Sequence, residues 1–194
     1  MKRLPRPLIR LLIAFKRAVR RRLRGALVRY VRGAPDASRD PRDKVYILLV
    51  SAWGMGGTIR AAINLASYLA DRHEVEIIST YRRNEQPYFA FDERVKVTTL
   101  DDQRAGATPR LQRPLRNLLR RIPSAVYHSA DLRSHNHSLW TDVQLVRRLR
   151  GTRGIAIASR PGHIMQLADL ALPGLITVGP VSYTHLTLPT IYSV

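Results

Sequence analysis

The sequence predicts an α/β fold, a parallel sheet covered by helices on both faces and preceded by a basic amphipathic helix. Three observations point there. From residue 44 to residue 179, short apolar runs alternate with segments of helical period, and strand–helix–strand crossovers lay strands parallel and bury both faces of the sheet. The chain has 194 residues, 45% of them hydrophobic, which suffices for one ordinary core. Finally, residues 1 to 32 hold twelve lysines and arginines and no acid, a composition unlike the rest.

That first segment, "PLIRLLIAFKRAVRRRLRGALVRYVRG", places Leu8, Leu12, Phe15, Val19, Leu23, Leu27 and Val31 at steps of three or four. They form one apolar stripe. Arg10, Lys16, Arg17, Arg20, Arg21 and Arg24 occupy the remaining faces. About 25 residues at 1.5 Å each make a rod of roughly 38 Å, whose shape suits an anionic membrane surface, with those six cations as the membrane-binding residues. Docking on another protein or on the later part of its own fold, and contact with nucleic acid, are the alternatives. Gly25 weakens the helix by about 1 kcal/mol. Arg10 interrupts the apolar stretch, so a signal peptide is not predicted, and no 18-residue apolar run occurs. The expected location is the cytoplasm, peripheral on the inner face of the cell membrane.

The net charge of +19 calls for an anionic partner, although outside residues 1 to 32 the balance is only 21 basic to 14 acidic. The absence of cysteine excludes disulfides, thiolate metal sites and cysteine nucleophiles. No cofactor is predicted.

"GAPDASRDPRD", residues 33 to 43, reads as a linker. Beyond it the pattern predicts strand 45 to 50, helix 58 to 71, strands 74 to 80 and 95 to 100, helix 138 to 150, strand 155 to 159, helix 163 to 171 and strand 175 to 178. A short helix over 113 to 121 is expected inside a long basic stretch with Arg110, Arg113, Arg116, Arg120 and Arg121. That stretch reads as a solvated face, or as a second contact with the same anionic surface. Residues 180 to 194 carry no charged residue and read as a non-native-looking or disordered tail, or an apolar edge strand.

Ligands of an open parallel sheet sit beyond the carboxyl ends of its strands. Those ends deliver Ser51, Trp53, Gly54, Gly56 and Gly57, then Thr80, Tyr81 and Arg82, then Asp101 and Asp102, then Ser159, Arg160, Pro161 and Gly162, and last Gly179. The glycine loop is not a dinucleotide fingerprint: Ile59 stands where the third glycine belongs, and the second strand ends without an acid. It is not a nucleoside-triphosphate loop either, since no Gly-Lys-Ser/Thr follows. What remains is Gly56 and Gly57 ahead of Thr58, which can cap the helix, offering backbone N–H groups at a helix start where anions are favoured. Arg60 in the first turn opposes the helix dipole, which fits pairing with a phosphate; a tight turn with a surface arginine is the plain alternative. His163 follows "SRPG" and either faces the cleft or sits in a first helical turn. Asp101 and Asp102 are turn residues or acceptor ligands. Trp53 either stacks on a sugar or closes its loop over the core. His135 and His137 find no convincing third ligand, so a polar loop is the default and no metal site is predicted.

"VYILLVSAWGMGGTIRAAINLASYLADRHEVEIIST" resembles the opening of glycosyltransferase family 4 enzymes of the GT-B type, and "SLWTDVQLVRRLR", "GIAIASRPGH" and "LPGLITVG" are similar to actinobacterial members associated with poly(glycerol phosphate) or teichoic-type acceptors. The resemblance covers residues 44 to 179. It implies a Rossmann-like, acceptor-side N-terminal domain, with the donor domain and catalytic residues lying beyond Gly179 and no catalytic residue in this chain. The implied partners are a nucleotide-sugar donor and an anionic or polyol-phosphate acceptor, with Gly54, Gly56, Gly57, Thr58, Arg60, Arg160 and His163 as substrate-binding residues. The expectation is a truncated, membrane-peripheral glycosyltransferase of the retaining type, inactive alone. The alternative is a non-enzymatic basic module for nucleic acid or anionic polymer. RNA-binding aromatics are not interleaved with the arginines and no recognised nucleic-acid motif appears, which disfavours nucleic acid.

Overall fold

The computed structural model describes residues 6–33 and 44–179, with side chains of the first segment from residue 14 onward. The linker expected over 33 to 43, Gly33 aside, and the tail from residue 180 lie outside the described residues. Ten elements follow the expected order: α1 (Arg6–Arg32), β1 (Lys44–Leu49), α2 (Gly57–Leu69), β2 (Glu74–Arg82), β3 (Lys96–Asp102), α3 (Arg113–Arg120), α4 (Leu139–Leu149), β4 (Gly154–Ala158), α5 (Pro161–Leu170) and β5 (Leu175–Val178). All five strands are parallel, in the order β3-β2-β1-β4-β5. This is the Rossmann-like α/β arrangement.

Side-chain alternation splits the central strand between two cores. Val45, Ile47 and Leu49 of β1 join Ala62, Ile63 and Ala66 of α2 on one face. Tyr46 and Leu48 join Leu145 and Leu149 of α4 and Leu167 and Leu170 of α5 on the other. Strands buried on both faces read as near-continuous apolar runs, which is why β1 was visible in the sequence.

Half of α1 belongs to this second core. Leu27 and Val31 are buried in it, and Leu23 packs against it. Arg20 donates from Nε to the carbonyl of Ala125 at 3.1 Å and from Nη2 to that of Tyr127 at 2.7 Å. Arg24 pairs with Asp169 at 2.8 Å. At the other end Arg150 donates to the Gly33 carbonyl and lies over the Tyr30 ring. The helix read as a separate, membrane-facing unit is therefore attached to the body from Arg20 onward. Arg20 and Arg24 serve that attachment, because carbonyls and a carboxylate within reach satisfy them better than solvent.

Glu76 of β2 is buried on the sheet face and is held by Arg148 of α4, whose Nε donates to Oε1 at 2.6 Å. Removing one partner of a buried ion pair strands the other charge. Arg148→Met is expected to cost about 3 kcal/mol, read as a lowered urea midpoint, with Glu76→Gln in the same chain recovering part of it.

Candidate functional site: an arginine-lined cleft at the switch point

The chain leaves β1 through α2 toward β2 and β3, then returns through α3 and α4 to β4 on the opposite side of β1. This reversal splays the connections apart between β1 and β4, and the carboxyl edge there is where open α/β sheets hold ligands. A cleft of about 400 Å³ opens at that place. The loop after β1 supplies Ser51, Gly54, Gly56, Gly57 and Thr58; β2 and its exit supply Tyr81, Arg83 and Asn84; β4 supplies Ser159 and Arg160; and Arg133 reaches in from the segment before α4.

Among the described residues, three arginines line this cleft and no acid does. Arg83 donates from Nε to the neutral Gln103 Oε1 at 2.9 Å and lies over the Tyr81 ring. Arg160 is 3.6 Å from Asp131, a long contact for an ion pair. The guanidinium of Arg133 makes no ion pair among the described residues; its backbone N–H donates to Asp131 Oδ1 at 2.8 Å. Desolvation by burial works against the Asp131 carboxylate, but that backbone N–H and the nearby Arg160 hold its pKa below the usual carboxylate range. With one charged acid beside the cleft, outnumbered by the arginines, the site is electropositive and suits a phosphate or diphosphate.

The glycine loop is built for backbone approach. Gly56 sits at φ 156° and ψ 153°, a region that residues with a Cβ avoid, and a Cβ on Gly56 or Gly57 would meet nothing within 4 Å. So the space in front of both is open, but only Gly57 is free of a conformational demand. The Thr58 side chain provides no cap; Gly56 is the N-cap residue, without a side-chain bond.

Of the predicted substrate-binding residues, Gly54, Gly56, Gly57, Thr58 and Arg160 come together in the cleft, while Arg60 and His163 do not line it. Arg60 extends over Phe89 at 6.0 Å, drawn to the ring face instead of the loop. His163 is 1% exposed: α5 starts at Pro161, so its first turn aims this side chain back beneath the strand ends. There His163 Nε2 lies 3.3 Å from His137 Nε2 and 3.4 Å from Thr80 Oγ1. His137 stacks on Tyr127 with ring centroids 3.5 Å apart, and its Nδ1 is 3.1 Å from the Arg133 carbonyl, so Nδ1 carries the proton and Nε2 accepts. Burial pushes His137 down to about 4 and His163 to about 3. The two histidines are neutral packing groups under the floor of the cleft.

Other strand-end residues are also accounted for. Asp101 is 2% exposed and is claimed by Arg116 at 2.7 Å and Arg120 at 3.2 Å, and Asp102 pairs with Arg104 at 2.7 Å. Trp53 is buried edge-on to Phe91, with Arg82 over its ring at 4.5 Å, so it closes the loop over the core. Arg83, Asn84 and Arg133 were missed. Strand β2 runs to Arg82, two residues past its expected end, which brings Arg83 and Asn84 to the cleft. Arg133 belongs to an irregular segment whose sequence carries no signal of where it folds back.

No family model matches the chain. A curated exopolysaccharide phosphotransferase of Streptomyces coelicolor is 35% identical over 144 residues, an alignment covering 68% of this chain and 15% of that protein. The chain thus spans about 15% of the length of the relative it matches. No helix among the described residues is long and apolar enough to cross a membrane.

Proposed function

We propose that this chain is the phosphate-holding domain of a transferase that builds cell-envelope polysaccharide, with the cleft at the switch point receiving the phosphate or diphosphate of a sugar donor or a polyol-phosphate acceptor. The observation that carries the proposal is the lining itself: three arginines and the glycine loop ahead of α2, with no acid among the described residues. The GT-B glycosyltransferase reading places a nucleotide-sugar opposite this wall and the attacking hydroxyl within it. Similarity to a protein named as an exopolysaccharide phosphotransferase favours a second reading, in which the sugar moves together with a phosphate. Both use the same electropositive wall.

The chemistry available here is binding. Ser51, Thr58 and Ser159 line the cleft, and no histidine or carboxylate among the described residues shares that lining to activate a hydroxyl; a nucleophile without a base within hydrogen-bond reach stays weak. This chain by itself is therefore expected to bind uridine diphosphate or oligo(glycerol phosphate) and to turn over neither. Titration calorimetry checks the first part: Arg133→Gln is expected to weaken phosphate binding about 10-fold to 100-fold, the worth of a charge-assisted hydrogen bond. Gly57→Val is expected to block approach with the melting temperature retained, whereas Gly56→Val also loses stability. Phosphate ligands that bind the wild type and R133Q alike, or do not bind at all, would sink the proposal. Product formation above blank in a panel of nucleotide-sugars and polyol-phosphate acceptors would overturn the expectation of binding alone.

A further inference from the structure

The tertiary structure gathers three separate features on one edge. Helices α4 and α5 run from the carboxyl edge of the sheet to the opposite edge, since Ser138, the N-cap of α4, leads into the cleft side and Arg150 leads down to the start of β4. Helix α1 runs the same way: Arg20 is bonded beside the first turn of α4, where the Ala125 N–H donates to Asp142 at 2.7 Å, and Gly33 is bonded to Arg150 at the far end. The part of α1 ahead of Arg20 therefore projects past the carboxyl edge. Residues 6 to 19 at 1.5 Å each extend roughly 21 Å. On this part Phe15 is 66% exposed, and Lys16, Arg17 and Val19 are exposed as well.

Helix α3 lies at the same edge, tied by Arg116 to Asp101 and to the Asp102 carbonyl at the end of β3. It packs Leu119 against the core and leaves Leu115 and Leu118 exposed at 54% and 60%, while Leu111, in the 3-10 turn Arg110–Gln112 just ahead of it, is 95% exposed. These lie at steps of four and three, beside the exposed Arg110 and Arg121. Of the acids at this edge, Asp101 pairs with Arg116 and Asp102 and Glu85 pair with Arg104, Asp131 lies 3.6 Å from Arg160, and Asp142 is fully buried and held by Ser124, Ala125 and Gln166. Apolar side chains fringed by cations with no ion pair among the described residues are the pattern of an interfacial element that dips into the headgroup region of an anionic bilayer.

We propose that the carboxyl edge is a bilayer-docking face, gripped at two points by the free half of α1 and by the exposed leucines of α3 and the turn ahead of it, so that the arginine-lined cleft opens toward the membrane surface. Docking stands on these two helices; that the cleft receives a membrane-held phosphate rests on the proposed function. Two anchors on one edge fix orientation, whereas a single helical arm would tether the body without aiming it. The cleft then meets phosphates carried at the headgroup level.

The test is sedimentation of the purified protein with vesicles of equal parts phosphatidylglycerol and phosphatidylcholine, and with phosphatidylcholine alone. Binding is expected to the anionic vesicles only, weakening with salt, and roughly fivefold per arginine removed at the surface. Two variants separate the anchors: Phe15→Ser with Val19→Ser, and Leu111→Ser with Leu115→Ser and Leu118→Ser. Each is expected to lose at least tenfold in vesicle affinity with an unchanged melting temperature, because the altered side chains are exposed. An α3 variant that binds like the wild type would overturn the two-point grip, and equal binding to neutral vesicles would overturn the anionic surface. Uridine diphosphate titrations on the same variants distinguish the two proposals: phosphate binding unchanged while vesicle binding falls supports both. Vesicle docking without any phosphate binding removes only the proposed function.

Discussion

Gly162→Ala is expected to lower the melting temperature by roughly 6–12 °C, the consequence of about 3 kcal/mol of overpacking in a domain of this size. A Cβ at this position would lie 2.2 Å from Tyr127 Cζ, 2.3 Å from its hydroxyl and 2.7 Å from Asp131 Oδ2. The ring cannot retreat, because His137 is stacked against it at 3.5 Å. Since Gly162 follows Arg160 by two residues, displacement of the turn also moves a cleft arginine, so phosphate affinity should fall with stability. Adding Tyr127→Leu removes the obstructing ring atoms and should recover part of the loss. Thermal unfolding of the single and double variants settles it; a single variant as stable as the wild type would mean the turn yields at no cost.

Stability is also expected to fall as pH drops from about 6.5 toward 4. The sign follows from proton binding: His137 and His163 have folded-state values lowered by burial to about 4 and about 3, so over this interval the unfolded chain takes up protons that the folded chain refuses. Each histidine then costs on the order of 3 kcal/mol by the lower end. Asp142 works in the opposite direction. It is buried and pushed up to about 6, so the folded chain gains a proton there, returning about 2 kcal/mol over the same interval. Burial is the larger effect there, and the hydrogen bonds from Ser124, Ala125 and Gln166 hold the rise to that value. The net result is acid destabilisation, visible as a falling urea midpoint between pH 7 and pH 4.5. His163→Gln, which cannot take up a proton, should flatten the profile; a wild-type profile already flat would contradict the neutral pair.

Some of this was legible without coordinates. Periodicity placed each strand and helix within about two residues because β1 and β2 are buried on both faces, while α2, α4 and α5 bury one stripe each, and those patterns are local in the chain. The glycine loop was legible for the same reason: Gly56 and Gly57 mark a turn wherever they fall in the fold. The position of α1 was not. Its stripe fits a bilayer or a protein core equally well, since both are apolar, and only the nearby carbonyls of Ala125 and Tyr127 divide the helix at Arg20.

The cleft divides along the same line. The sequence by itself determined the parallel sheet, its carboxyl edge, and Gly54, Gly56, Gly57, Thr58 and Arg160 as residues on that edge. Tertiary structure alone decided which cations remain available to a ligand. Arg116 and Arg120 are consumed by Asp101 and Arg104 by Asp102, whereas Arg133, no different from them in sequence, lines the cleft with no ion pair among the described residues. The physical reason is that a charge is neutralised by whatever the fold brings within about 4 Å, and those neighbours come from segments far apart along the chain.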